Sequence, residues 1–163
     1  ILTHGCQWNL PFFTTYLERR SGKEAFPDWV SGACLLARKD LVQEAGYIDE
    51  NFFMFAEEVD LCRRIVKLGY RIFYYPDVSI IHLRGQSSST NLNKIIYEYR
   101  RSQLYFYKKH CNMQSRLALR IYLLVKFGLF FLYCEARRLL SRPDAVQDVQ
   151  LAKKLFSLCL TYK

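Results

Sequence analysis

The sequence has no C-x-x-C pair among its six Cys, so a zinc ribbon and a redox dithiol are disfavoured. The cysteines lie far apart, at 6, 34, 62, 111, 134 and 159. That spread suits free thiols in a reducing compartment better than a small disulfide scaffold. There is no N-x-S/T acceptor and no internal repeat. The first residues, Ile1-Leu2-Thr3-His4, lack an initiator Met and do not read as a signal peptide. The expectation is a piece of a longer chain. Disorder, collagen and low-complexity linkers are excluded by composition: 51% of the 163 residues are hydrophobic and 24% charged. What is abundant is aromatic, with 12 Phe, 12 Tyr and 2 Trp. The length suffices for a domain with a buried core.

The net charge of +9 is unevenly placed. Residues 1–97 balance 11 Lys+Arg against 11 Asp+Glu. Residues 98–142 hold 10 basic and 2 acidic residues, and 143–163 hold 3 and 2. One basic stretch therefore carries the excess. It calls for an anionic partner, or else forms a solvated helical face.

Hydrophobic period and stop residues give the elements. Trp29 to Ala37 reads as a buried strand, Arg71 to Tyr75 and Val78 to His82 as two more. Lys39 to Ala45 reads as a short helix stopped by Gly46, and Glu57 to Leu68 as a helix stopped by Gly69. Asn91 to His110 and Leu117 to Arg138 read as longer helices. Pro143 opens a last one, with Ala145, Val149, Ala152, Phe156 and Cys159 on one stripe.

Three carboxylates, Glu57, Glu58 and Asp60, open the second of these helices. A helix N-terminus favours ionised acids, which serve as general bases, metal ligands or plain capping groups. Glu57 and Asp60 share a face, and Asp60 and Arg64 are spaced to pair. One acid is then held structurally while another points elsewhere. Phe52, Phe53 and Phe55 just before them would wall a pocket or pack a core.

The apolar stretch Leu117 to Cys134 is about 27 Å long as a helix, barely enough to span a bilayer. Arg116, Arg120, Lys126, Arg137 and Arg138 fall within one arc of its wheel. Three placements stay open: an amphipathic helix in the headgroup region, a packed core helix, and a spanning helix.

From Trp29 to Ser87 the order is V-S-G-A-C-L-L-A-R, then G-Y-I-D-E-N-F-F-M-F-A-E-E-V-D-L-C-R-R, then G-Y-R-I-F-Y-Y-P-D-V-S-I-I-H-L-R-G-Q-S. This resembles the C-terminal half of the catalytic domain of family 2 glycosyltransferases, the rhamnosyltransferase-like branch above all. The resemblance implies an α/β fold: the C-terminal part of a GT-A (Rossmann-like nucleotide-diphospho-sugar transferase) domain over residues 1–97, followed by a basic helical extension over 98–163. The nucleotide-binding half and its D-x-D metal motif do not occur in the sequence, so the piece by itself is not expected to transfer sugar. The implied activity is inverting transfer of a sugar, with rhamnose a candidate, from a nucleotide-diphospho-sugar to a saccharide or lipid-linked acceptor in surface polysaccharide synthesis.

The same resemblance implies the roles. Glu58 takes the place of the catalytic base, where the family usually has Asp. Glu57 and Asp60 are the flanking acids that orient the loop or contact the acceptor. Gly32 and Ala33 occupy a position where a small residue lets substrate approach the backbone. Arg100 or Arg101 would hold a diphosphate. His82 would complete a site for Mg²⁺ or Mn²⁺, the cofactor expected to offset the diphosphate charge. The implied location is cytoplasmic, at the inner face of the cell membrane, against an anionic lipid surface. Two other readings remain: a non-enzymatic basic module for anionic membrane or nucleic acid, and a transferase relative inactivated by Glu58. No nucleic-acid recognition motif is present.

Overall fold

The computed structural model describes residues 22–81, 92–140 and 145–162. Among these, five α-helices form: α1 (Lys39–Glu44), α2 (Glu57–Lys67), α3 (Leu92–His110), α4 (Met113–Leu139) and α5 (Ala145–Thr161). The chain divides into two compact units, one of residues 1–50 and 57–84, the other of residues 51–56 and 85–163.

In the first unit, α1 and α2 end as the glycines require. Gly46 has φ +82° and Gly69 φ +91°. Each lets the chain reverse so that freed N–H groups return to the last turn. Tyr47 N–H donates to the Val42 carbonyl at 2.8 Å, and Tyr70 N–H to that of Ile65 at 3.3 Å. Among the described residues of this unit, the buried hydrophobics, Leu61, Cys62 and Ile65, all lie on α2.

The three runs read as strands do not form strands among the described residues. Gly32–Cys34 is a single 3-10 turn, and Leu36 and Ile81 are exposed. Among the described residues, the extended segments pair at one antiparallel bridge, Ala25 to Tyr74. Strand-type side chains bury only when neighbouring strands satisfy the backbone, and one bridge does not supply that. The α/β expectation is therefore not met by the described residues, which are helical. His82, the end of the third run, lies outside them.

The second unit is built on α3, α4 and α5. Its core is Leu104 of α3, Leu119, Leu123 and Phe127 of α4, and Leu151, Leu155, Leu158 and Cys159 of α5. The stripe expected on the last helix is its buried face: Val149, Ala152 and Cys159 are buried and Phe156 partly so. Asn112 caps α4, its side-chain oxygen accepting from the Ser115 N–H at 2.9 Å. The two long helices run antiparallel. Near one end Arg120 of α4 donates to the carbonyls of Cys159 (2.7 Å) and Leu160, which the end of α5 leaves free. Near the other, Arg137 pairs with Asp148 at 3.2 Å.

These contacts revise the picture of the basic arc on α4. Arg120 and Arg137 turn inward to α5, and Arg138 pairs with Glu135 at 2.7 Å. The side of α4 that carries the arc is the side that packs on α5, while Lys126 and Arg138 of the arc stay exposed.

Candidate active site

Glu57, Glu58 and Asp60 occupy the first turn of α2, where the helix dipole favours negative charge. Asp60 is the one held structurally. Its side chain is 0% exposed and accepts from Arg64 at 2.8 Å, one helical turn on. Arg64 also donates to the Ala45 carbonyl and, at 2.6 Å, to the Tyr47 carbonyl. The i,i+4 pair was legible in the sequence, but the grip on the α1 terminus was not. A buried carboxylate paired in this way fixes a helix rather than meeting substrate.

Glu57 and Glu58 differ from Asp60. Each keeps one oxygen, Oε2, away from solvent and without a hydrogen-bond partner among the described residues. Buried polar atoms are ordinarily partnered, so two such carboxyls side by side stand out on this helix. The Glu57 carboxyl is raised above its usual range. Burial is the main cause, a hydrogen bond from its own backbone N–H offsets part of it, and the Glu58 charge adds to it.

Gly32 is brought to this pair. A Cβ at Gly32 would stand 3.6 Å from the Glu58 Cβ and 3.8 Å from its Cδ. The Ser31 hydroxyl holds the turn by accepting from the Ala33 N–H at 3.3 Å. Ala33 itself is exposed. Cys62 is buried on α2, which pushes its thiol up and makes it a poor nucleophile.

The chain enters this helix under backbone strain. Phe55 and Ala56 both have φ +69°, a region costly for residues with a Cβ. Contacts within the second unit hold the segment in place. Phe52 packs edge-on against Tyr105 at 4.8 Å and Phe55 against Tyr99 at 5.3 Å. Ser102, buried on α3, donates to the Met54 carbonyl at 2.8 Å. The aromatics are thus anchors of the loop, with Phe53 the exposed exception. Ser102 escaped the sequence reading, because one Ser in a basic helix carries no signal of a partner 48 residues away.

Arg100 and Arg101 lie on α3 in the second unit. The Arg101 Nε is engaged by Glu98 at 2.7 Å. Arg100 donates to Gln103 at 2.7 Å and lies over the rings of Tyr99 and Phe127. Its Nε is buried without a partner. His82 lies outside the described residues. Among those residues no group of three or more His, Cys, Asp or Glu could hold a metal ion. The donor set in view does not fit Mg²⁺ or Mn²⁺, which need several oxygen-rich ligands.

The chain is 28% identical over 130 residues to the N-acetylglucosaminyl-diphospho-decaprenol L-rhamnosyltransferase of Mycobacterium tuberculosis, covering 73% of this chain and 42% of that protein. It is 34% identical over 68 residues to the rhamnosyltransferase WbbL of Escherichia coli K12, covering 41% of this chain and 25% of that protein. The chain spans less than half the length of these relatives. No solved structure matches it. The pattern described as glycosyl transferase family group 2 matches residues 6–160, nearly the whole length, and the chain belongs to that family, on its rhamnosyltransferase-like side.

Proposed function

We propose that this chain supplies the acceptor-side part of an inverting glycosyltransferase, with Glu58 as the general base. The observation that carries the reading is the pair of partly buried, unsatisfied carboxyls on α2 in a chain of this family. The acceptor hydroxyl gives its proton to the Glu58 carboxylate as its oxygen attacks the anomeric carbon. A new C–O bond forms there, the bond to the diphosphate oxygen breaks, and the nucleoside diphosphate leaves. Attack from the opposite face inverts the anomeric centre. Glu57, with its raised pKa, contacts the acceptor. Asp60 acts as a positioning residue through Arg64, holding α2 against the end of α1. The missing Cβ at Gly32, together with the small Ala33, lets substrate approach the backbone beside Glu58. The longer side chain of Glu58, against the family's usual Asp, changes reach rather than chemistry.

The donor proposed is a nucleotide-diphospho-sugar, with rhamnose the first candidate from the names of the relatives. The acceptor class is a saccharide on a lipid diphosphate, on the cytoplasmic side of the membrane. Arg100 and Arg101 are proposed as diphosphate ligands, Arg100 having an unspent Nε. The runs at 29–37, 71–75 and 78–82, strand-like in composition, are proposed as strands of a GT-A sheet.

The test is transfer of rhamnose from a nucleoside-diphosphate donor to N-acetylglucosaminyl-diphospho-polyprenol, by the protein that carries this sequence. Glu58→Gln should lower the rate by about 10²- to 10⁴-fold while donor binding stays near normal. Glu58→Asp should retain activity. Near-normal turnover by Glu58→Gln would move the base to Glu57.

A further inference from the structure

The long helix α4 has two apolar faces, and the core of its own unit uses one of them. Leu119, Leu123, Phe127 and Cys134 are buried. On the opposite side Leu117, Ile121, Val125, Leu129 and Leu132 are each more than half exposed. This outer stripe runs about 23 Å along the helix without a charged residue in line. Beside it α4 and α5 enclose an open groove of about 620 Å³. Gly128 and Phe156 line its floor, 3.6 Å apart when a Cβ is placed on the glycine. Lys153 stands at the edge of the groove, its ammonium 5.6 Å from the Phe131 ring. Lys126 stands at the other edge of the stripe, over the exposed Tyr122 ring.

We infer that the outer stripe of α4, with the adjoining groove, is the surface by which the protein lies on an anionic lipid bilayer, with α4 parallel to the membrane plane. The proposal deepens the lipid-linked acceptor of the reading above, and it rests on that reading only for the biological reason to be at a membrane. Charge selects the occupant. Residues 85–163 hold 14 Lys+Arg against 4 Asp+Glu. A face edged by Lys126 and Lys153 within so cationic a unit complements anionic headgroups, while the same face on a second copy would set like charges together. Lysine stems suit this position, their methylenes covering apolar surface and their ammonium groups reaching the headgroups.

By length and composition α4 would also serve as a spanning helix. Its packing argues for the parallel placement. The α5 helix runs beside it, tied by Arg120 and Arg137, and carries Asp148 and the exposed Lys153 and Lys154. Crossing the bilayer would drag those charges into hydrocarbon.

The experiment is flotation of the full chain with vesicles of equal phosphatidylglycerol and phosphatidylcholine, beside vesicles of phosphatidylcholine alone. Binding is expected to the first and to fall with salt. Leu129→Asp, at a site 63% exposed, should lower partitioning about tenfold or more. Lys126→Ala and Lys153→Ala should each lower it about fivefold. Leu36→Asp, at a site 98% exposed on the first unit, should leave it unchanged. Should Leu129→Asp lower the helical circular dichroism, Val125→Asp gives the same reading one turn earlier. With Leu129→Trp, the added fluorescence should be quenched best by bromines placed just below the headgroups. Quenching best at the bilayer midplane would mean a spanning helix and overturn the proposal. So would unchanged binding by both Asp variants, equal binding to neutral vesicles at every salt concentration, or a stripe whose loss abolishes only self-association. Vesicle binding involves no sugar transfer, so its failure and the failure of the transferase reading are separately visible.

Discussion

The two units differ in how they hold themselves together. Among the described residues, the first buries three hydrophobic side chains, Leu61, Cys62 and Ile65, all on one helix. The second buries twelve, spread over α3, α4, α5 and the Phe52 loop. The first unit is fastened instead by directed polar contacts, above all Asp60 and Arg64. The proposed catalytic carboxyls belong to this thinly packed unit. A polar clamp fixes direction, which a base needs, while an apolar core supplies bulk stability, which a platform needs.

The comparison can be broken most sharply at the clamp. Arg64→Ala takes the guanidinium away from the buried Asp60 and from the Ala45 and Tyr47 carbonyls, a loss of about 3–5 kcal/mol for broken buried pairs of this kind. Hydrogen exchange should show α2 deprotected well before α4 and α5. Equal deprotection throughout would mean that the two units do not differ in this way.

The converse experiment is Leu155→Ala, at a core position 1% exposed. The cavity should cost about 2–5 kcal/mol, read as a lower denaturant midpoint for the helical signal of α3 to α5. A change below about 0.5 kcal/mol would show that this core is not the main support of the second unit.

A smaller effect is expected where the chain passes from one unit to the other. Ala56 has φ +69°, and Ala56→Gly removes a Cβ penalty of about 1–2 kcal/mol, partly offset by the freedom glycine gains when unfolded. Thermal melting should show a slight gain. A loss would mean that Ala56 contributes packing.

The smallest effect concerns pH. Glu57 has a raised pKa in the folded chain, so the folded state binds its proton more tightly than the unfolded state. Its contribution is therefore favourable at low pH and is lost as pH rises from the ordinary value of 4.5 through the raised one. Glu57→Gln should flatten that slope in a stability-against-pH series. An unchanged slope would assign it to other groups.

Much of this was legible in the residues. Gly46 and Gly69 mark where α1 and α2 stop, because a left-handed residue is needed at each reversal. The spacing of Val149, Ala152 and Cys159 marks the buried side of α5. The run of Glu57, Glu58 and Asp60 marks a helix start, and its flanking order resembles a transferase motif, in keeping with the family to which the chain belongs. The strand-like runs were less informative. Their composition states a preference for pairing, which the described residues satisfy only at Ala25 and Tyr74.

Sequence alone determined the local features, since caps, stop residues and helical stripes depend on neighbours within a few positions. Tertiary structure alone decided which side of each helix is used. A wheel shows that α4 has a basic arc and apolar arcs, but not that Arg120 would find the Cys159 carbonyl 39 residues away and turn the arc inward. Likewise the order of residues offered three carboxylates. Only the fold, by bringing the carbonyls of Ala45 and Tyr47 to Arg64, set Asp60 apart as the structural one and left Glu57 and Glu58 unsatisfied. Such choices rest on groups distant in sequence that meet only once the chain is folded.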